Sequence, residues 1–295
     1  MYEITVYLMT RNRPQFVLRS IRSILSQSFY DFKFIVSDNS TNDDIKNLIK
    51  EENIKDTRFS YIKRECPFES GIDHINTIHQ EVQSHYYIIF HDDDIMLPDM
   101  VRKLYEAIKE DNRIIAVGAF AYTVKNGKRM EGKICKHKEI INSPFTIIDK
   151  YASESYATFA SYMYNKCLMS NLIEKENGGK YSDCSFIVSL LRNGLIVHIP
   201  NRLMEITIHK GQDSQDHQFS EYLSLTTYLK KLVGKREAKR ISNLRIFNIY
   251  NERIRRYKME RVPLYSFRIL VLFFKYSPKN FFPKYILRIL HLYNK

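Results

Sequence analysis

Tyr86-Tyr87-Ile88-Ile89-Phe90-His91-Asp92-Asp93-Asp94-Ile95-Met96-Leu97-Pro98-Asp99-Met100 sets an apolar run, three consecutive carboxylates and a proline in immediate succession. The run Tyr86–Phe90 has the length and the aromatic and β-branched content of a buried strand. Pro98 stands where a helix's first turn would begin, which suits proline's fixed φ. Met100–Lys109 then carries apolar residues at three- and four-residue steps, the spacing of one helix face. The stretch therefore reads strand, acidic turn, helix.

Working outward, the same alternation runs through residues 1–120. Apolar runs at Ile4–Met9, Phe32–Ser37, Phe59–Ile62 and Ile114–Ala119 alternate with helix-patterned segments such as Phe16–Ser26, which follows Pro14. Strand–helix alternation implies an α/β fold with a Rossmann-like, mostly parallel sheet covered on both faces. In such sheets ligands gather at the carboxyl ends of strands. Three polar clusters follow strands: Thr10-Arg11-Asn12-Arg13, Asp38-Asn39-Ser40 and His91-Asp92-Asp93-Asp94. Beyond residue 120 the pattern loosens. Lys125-Asn126-Gly127-Lys128 reads as a turn, Ser182–Arg192 as a helix, Leu195–Ile199 as a strand and His209–His217 as a polar loop.

Composition narrows the class. At 295 residues and 44% hydrophobic content the chain supports one large core and an appendage. Cys66, Cys135, Cys167 and Cys184 form no C-x-x-C pair and no zinc spacing, so they read as reduced thiols. The chain opens on a strand-like run with no basic start or small-residue cleavage site, which points to the cytoplasm. Its formal net charge of +13 is not spread evenly. Residues 228–295 hold 18 Lys and Arg against 3 acids, and residues 1–227 hold 28 against 30. A near-neutral globular protein thus carries a strongly basic tail. No nucleic-acid-binding motif accompanies that charge, so nucleic acid is excluded as a partner.

Taken singly, the polar clusters leave alternatives open. Three adjacent carboxylates repel one another, and a divalent cation that also takes oxygens from a diphosphate relieves the repulsion. The same acids would suit the N-terminus of the helix beginning near Pro98. Asp38 fits a ribose or base contact, or a cap for a helix starting near Asp43. Thr10 to Arg13 offers hydroxyl, amide and guanidinium donors to a nucleotide, as many strand-end loops do.

Together they carry a resemblance. I-T-V-Y-L-M-T-R-N-R-P, S-I-R-S-I-L-S-Q-S-F, F-I-V-S-D-N-S-T-N-D and Y-Y-I-I-F-H-D-D-D-I-M-L-P-D-M occur here in the order and spacing of the family 2 inverting glycosyltransferases. The resemblance covers residues 1–120 closely and 150–214 loosely. It implies the A-type glycosyltransferase fold and a D-x-D segment holding Mn²⁺ or Mg²⁺. It also implies a nucleotide-sugar-binding half (1–120) and an acceptor-binding, catalytic half (121–225). By motif position, Thr10, Asn12, Arg13 and Asp38 would meet the nucleotide. Asp92 would lie beside ribose or metal, Asp93 would serve donor and metal, and Asp94 the metal. The register is ambiguous: aligning on Pro98 puts His91 where many relatives have the first Asp. Gly71 and Asn76 match the family's G-x-x-x-x-N step, which brings backbone close to the donor.

Inversion needs a carboxylate to take the acceptor hydroxyl's proton. Asp183, in Tyr181-Ser182-Asp183, matches the family's position for that base, or is a plain first-turn carboxylate. His209 resembles the histidine of the R-x-H loop that can reach the metal. Thr207 stands where the arginine would be, and Lys210 or Arg202 would have to replace it. Glu154, Tyr156 and Tyr162 lie where acceptor contacts are expected, with rings suited to sugar stacking.

The tail (226–295) reads as helical. Arg261, Arg268 and Lys275 share one face of 261–276, and Lys284, Arg288, His291 and Lys295 one face of 284–295, amid apolar neighbours. Its charge-free runs are far short of the roughly 20 residues a membrane span needs. A basic, aromatic-rich amphipathic pair suits an anionic membrane surface; packing on the core is the other reading. The expectation is a peripheral enzyme on the inner face of the plasma membrane. It would pass sugar, with UDP-hexose or UDP-N-acetylhexosamine favoured as donor, to a lipid-linked oligosaccharide of O-antigen or capsule. The alternatives are a sugar nucleotidyltransferase, which would open on a glycine-rich phosphate loop absent from residues 1–20, and a catalytically inactive scaffold.

Overall fold

The structure is a computed structural model that describes residues 2–209, 219–237 and 239. Among them, one ten-stranded sheet organises the chain. Its first strands are β1 (Ile4–Thr10), β2 (Lys33–Asp38), β3 (Phe59–Lys63) and β4 (Tyr86–His91), interleaved with helices α1 (Pro14–Leu25), α2 (Asp44–Glu52) and α3 (Gly71–Glu81). β5 (Ile95–Met96), α4 (Met100–Ile108) and β6 (Ile114–Lys125) follow. The second half supplies β7 (Lys128–Glu131), β8 (Glu139–Ile141), α5 (Pro144–Ala152), β9 (Met163–Asn165), α6 (Ser182–Leu190), β10 (Leu195–Ile208) and α7 (Phe219–Val233).

Strand order is β3-β2-β1-β4-β9-β6-β10-β5, with β7 beside β6 and β8 beside β10. The pairs β2–β3, β1–β2, β1–β4 and β6–β10 are parallel. β9 enters antiparallel between β4 and β6. This is the expected α/β, mostly parallel sheet, and the register explains the site. Thr10 lies opposite Asp38, and Met9 opposite His91, so three polar strand ends meet at one edge of the sheet.

Both faces are covered, and alternate strand residues divide between two cores. On one side Val6, Leu8, Phe34 and Val36 pack with Val17, Ile21 and Ile24 of α1 and Met100 and Leu104 of α4. On the other, Tyr7, Ile35, Tyr87 and Ile89 pack with Ile75 and Ile78 of α3, Ile147 and Ile148 of α5, Phe186 of α6 and Leu225 and Leu229 of α7.

Three differences from the sequence reading have physical causes. The strand expected at Leu195–Ile199 runs on to Ile208, because register shifts against β6 near Arg202 absorb the Pro200 interruption. Residues 121–180, read as irregular, hold β7, β8 and β9, each of three or four residues and too short for a periodic signal. Tyr162 is buried and takes part in a 2.7 Å hydrogen bond with His198, so its ring belongs to the core and not to an acceptor surface. The turn at 125–128 is as read: Asn126 and Gly127 take φ of 50° and 73°, closing the β6–β7 hairpin. The boundary expected at residue 120 falls inside β6. No helix among the described residues is long and apolar enough to cross a membrane. Residues 210–218 and the tail helices expected at 261–276 and 284–295 lie outside the described residues.

Candidate active site

The acidic turn is anchored before it can bind anything. Parallel pairing with β1 positions His91, the last residue of β4. After the turn, β5 pairs antiparallel with β10 at Met204 and Glu205. Ser20, fully buried on the apolar face of α1, places its Oγ 2.6 Å from both the Asp92 and the Asp94 carbonyl oxygens. Arg19 donates to the Asp93 carbonyl at 2.8 Å and to Thr207 Oγ1 at 2.8 Å. The backbone of the turn is thus tied to helix α1 on one side and strand β10 on the other.

The three carboxylates then diverge. Asp92, fully buried, accepts from Thr10 Oγ1 at 2.6 Å and lies 2.5 Å from an Arg13 nitrogen. Asp93 Oδ2 lies 2.9 Å from Arg13 and 3.0 Å from His209 Nε2. Asp94 accepts the Thr207 N–H at 3.2 Å. His91, Asp93 and Asp94 each offer one ligand atom, and these atoms lie within 4.8 Å of one another. His91 therefore joins the ligand-capable group, and Asp92 turns toward Thr10 and Arg13.

Burial and mutual repulsion shape the charge. Burial raises Asp92 to about 6 even though Arg13 and the Thr10 hydroxyl favour its ionised form. Burial, then Asp93 and Asp92, push Asp94 well above the carboxylate range. Burial also opposes ionisation of Asp93, but His91, His209 and Arg13 outweigh it and hold that carboxyl below its ordinary value. With Asp92 and Asp94 both pushed toward their neutral forms, the surrounding protein alone does not hold all three acids charged at once. Two carboxylates and one imidazole form a mostly oxygen donor set that fits a divalent cation.

A second cluster lies one strand away. Asp38 accepts from Ser40 N–H at 2.8 Å and from the Tyr61 hydroxyl at 2.6 Å, with Lys63 3.8 Å off. Asn12, held at a left-handed φ of 53°, donates its N–H to Ser40 Oγ at 2.7 Å and accepts from Thr41 N–H at 3.0 Å. Arg11 donates to the carbonyls of Phe68 and Glu69. Asn39 closes the same corner with hydrogen bonds to Phe68 in both directions. The loops after β1, β2 and β3 are thereby joined into one rim.

The expected residues are therefore partly gathered. Thr10, Arg13, Asp92, Asp93, Asp94 and His209 converge, and Asn12 and Asp38 form the neighbouring rim. Gly71 is exposed at the start of α3 with open space around its Cα. Asn76 holds Ile173 through both its backbone groups, at 2.8 and 3.0 Å, and so joins α3 to the second half. Asp183 is half-buried in the first turn of α6 and accepts from the Cys184 N–H. Phe186, one turn along, packs on Phe159, which stacks on His91 at 6.3 Å. That chain of ring contacts links α6 to His91, the residue that leads into the acidic turn. Arg202 is engaged elsewhere, with Gly132, Glu131 and the Tyr122 ring. Arg19 stands against Thr207 in its stead.

Ser20, Arg19, Tyr61, Phe16 (4.6 Å from the His209 ring) and His91 as a ligand were not singled out from sequence. Ser20 did leave a signal: it is the one hydroxyl among Val17, Ile21 and Ile24 on a face otherwise apolar at helical spacing.

Comparison with known proteins agrees with this geometry. The family model described as glycosyl transferase family 2 matches residues 5–169. An uncharacterized glycosyltransferase of Methanocaldococcus jannaschii is 28% identical over 193 residues, covering 64% of this chain and 65% of that protein. The GalNAc(5)-diNAcBac-PP-undecaprenol beta-1,3-glucosyltransferase of Campylobacter jejuni is 25% identical over 169 residues, covering 56% of this chain and 54% of that protein. The matches thus span between half and two thirds of these relatives. Among solved structures, S. aureus TarS residues 1–349 superimposes with a TM-score of 0.63 at 14% identity, over 89% of this chain and 76% of that one. The same TarS fragment has been solved with UDP and with UDP-GlcNAc. The mannosyltransferase PcManGT of Pyrobaculum calidifontis, solved with GDP-Man and Mn²⁺, superimposes with a TM-score of 0.53 at 11% identity, over 87% and 81% of the two chains. These structural likenesses establish the A-type glycosyltransferase fold, and with the family match and the strand-end acidic cluster they lead to one statement: this chain belongs to glycosyl transferase family 2.

Proposed function

We propose that this chain transfers a sugar, with inversion, from a nucleotide diphosphate sugar to a hydroxyl of a lipid-linked oligosaccharide. The observation that carries the reading is the His91–Asp93–Asp94 group at the carboxyl end of β4, with Thr10 bound to Asp92 and the rim of Asn12 and Asp38 beside it. UDP-hexose or UDP-N-acetylhexosamine is the favoured donor, in keeping with the UDP ligands of the TarS structures. The lipid-linked acceptor takes support from the undecaprenol-linked acceptor of the Campylobacter relative and from the basic tail, and a place in O-antigen or capsule assembly from the family resemblance and the same tail.

In this reading residues 1–120 bind the donor and 121–225 the acceptor. Residues 261–295 hold the enzyme to the anionic inner face of the plasma membrane. Asn12, Asp38 and Thr10 line the nucleoside, Asp92 orients Thr10 and Arg13, and Gly71 and Asn76 shape the donor side through α3. His91, Asp93 and Asp94 would hold Mn²⁺ or Mg²⁺, with His209 supporting Asp93. A divalent cation there offsets charge on the leaving diphosphate. Asp183 takes the proton from the acceptor hydroxyl as that oxygen attacks the anomeric carbon, and the nucleoside diphosphate departs from the opposite face.

Calorimetry tests the donor half. UDP-, GDP- and dTDP-sugars are titrated into wild type and Asp93→Ala, with and without Mn²⁺. Metal-dependent, saturable binding of one donor that is lost in the variant is expected. A folded wild type that binds none of them would overturn the reading in favour of a scaffold. Transfer of labelled sugar to water-soluble acceptors alone would overturn the lipid-linked assignment.

A further inference from the structure

Arg13 sits where two opposing demands meet. It is the residue immediately before α1, and its side chain caps no helix N–H. Its guanidinium bridges two carboxylates of the acidic turn, one nitrogen 2.5 Å from Asp92 and the other 2.9 Å from Asp93 Oδ2. That Asp93 oxygen also faces His209 Nε2 at 3.0 Å, and the Asp93 carboxylate belongs to the group of side chains able to hold a cation. The Arg13 side chain is about one third exposed, so it has room to turn.

We propose that Arg13 is a built-in counter-ion of the acidic turn, which a divalent cation displaces and the donor's diphosphate then captures. The inference rests on the donor-and-metal reading above and names the residue that couples its two ligands. Arginine stays protonated at any physiological pH, so its charge cannot be discarded when a cation reaches Asp93. Two cations on one partly buried carboxylate repel strongly, because the surrounding protein screens them far less than water does. Arg13 must turn away, and a diphosphate beside the metal is the anion its planar fork matches best. Metal alone therefore binds against Arg13, and metal with diphosphate binds with its help. Arg13 acts here as a positioning residue that makes the two ligands bind as a pair.

The test uses the full chain and free Mn²⁺ measured by electron paramagnetic resonance, with UDP and GDP as diphosphate probes. In Arg13→Gln, Mn²⁺ without nucleotide is expected to bind about tenfold tighter than in wild type. The factor by which a saturating nucleoside diphosphate tightens Mn²⁺ is expected to shrink by about the same amount. Arg13→Lys keeps the charge without the fork, and its Mn²⁺ affinity should fall between wild type and Arg13→Gln. Unchanged or weaker Mn²⁺ binding in folded Arg13→Gln, or coupling equal to wild type, would overturn the proposal while leaving the donor reading intact. Wild type that takes up neither Mn²⁺ nor a nucleoside diphosphate would overturn both.

Discussion

Ser20→Ala removes a single oxygen from the protein interior, yet it should loosen the acidic turn. The Ser20 hydroxyl lies 2.6 Å from the carbonyl oxygens of Asp92 and Asp94 and is fully buried, so no water replaces it. One hydroxyl proton serves two acceptors here, so its loss leaves the buried pair with one donor fewer. A buried polar group stripped of its partner costs about 1–3 kcal/mol. The cavity left by an oxygen is small and adds little. The expected destabilisation is therefore about 1–3 kcal/mol, read as a lower urea midpoint at unchanged slope. Tyrosine fluorescence is a suitable probe, since the chain holds 21 Tyr and no Trp. Because the same carbonyls set the direction of the Asp93 and Asp94 side chains, Mn²⁺ affinity should fall as well. Ser20→Thr keeps the hydroxyl and should retain most of the metal affinity, with a packing penalty only. A Ser20→Ala protein within about 0.5 kcal/mol of wild type, the range of neutral surface changes, and with unaltered Mn²⁺ binding would refute the argument that this hydroxyl anchors the turn.

Two other outcomes follow from the structure. Asp183→Asn should lower kcat by roughly 10²–10⁴-fold while leaving calorimetric donor binding intact; equal loss of donor affinity would remove Asp183 from the role of base. Acid should destabilise the fold in a defined window. Burial, the largest cause in each case, lowers His79 and His198 to about 3 and His74 to about 4, from 6.5. The unfolded chain binds these protons first, so stability falls as pH drops from 6.5 toward 3–4. At pH 5 each group costs about 2 kcal/mol. Asp92, raised to about 6 chiefly by burial, and Asp94, pushed well above the carboxylate range chiefly by burial, work in the opposite sense as pH falls and offset part of the histidine cost. His198→Gln should flatten the pH dependence of the urea midpoint below pH 6.5, and an unchanged slope would contradict the assignment.

Much of residues 1–120 was legible because its signals are local. Val6, Leu8, Phe34, Val36, Ile88 and Phe90 lie in near-continuous apolar runs, as strands buried on both faces do, and Pro14 and Pro98 mark helix starts. Polar residues directly after such strands fall at the ligand edge of the sheet whatever the packing details. For that reason Thr10, Asp38 and Asp92-Asp93-Asp94 could be named from the chain alone. The basic bias of residues 228–295 is equally a property of sequence. What each acid does is another matter. Successive side chains in a turn point in different directions, and contacts 72 to 116 residues away in the chain set those directions: Ser20 and Arg19 from α1, Thr207 from β10 and His209 just after it. Only the tertiary structure could assign Asp92 to Thr10 and Arg13, and His91 to the ligand group. β9 was hidden for the same reason, since three residues carry no period and become a strand only between β4 and β6. Periodicity and composition thus determined that this chain builds a mostly parallel sheet with acids at the carboxyl ends of its strands. Long-range register decided which of those acids face one another, because a side chain's direction depends on neighbours the local sequence does not contain.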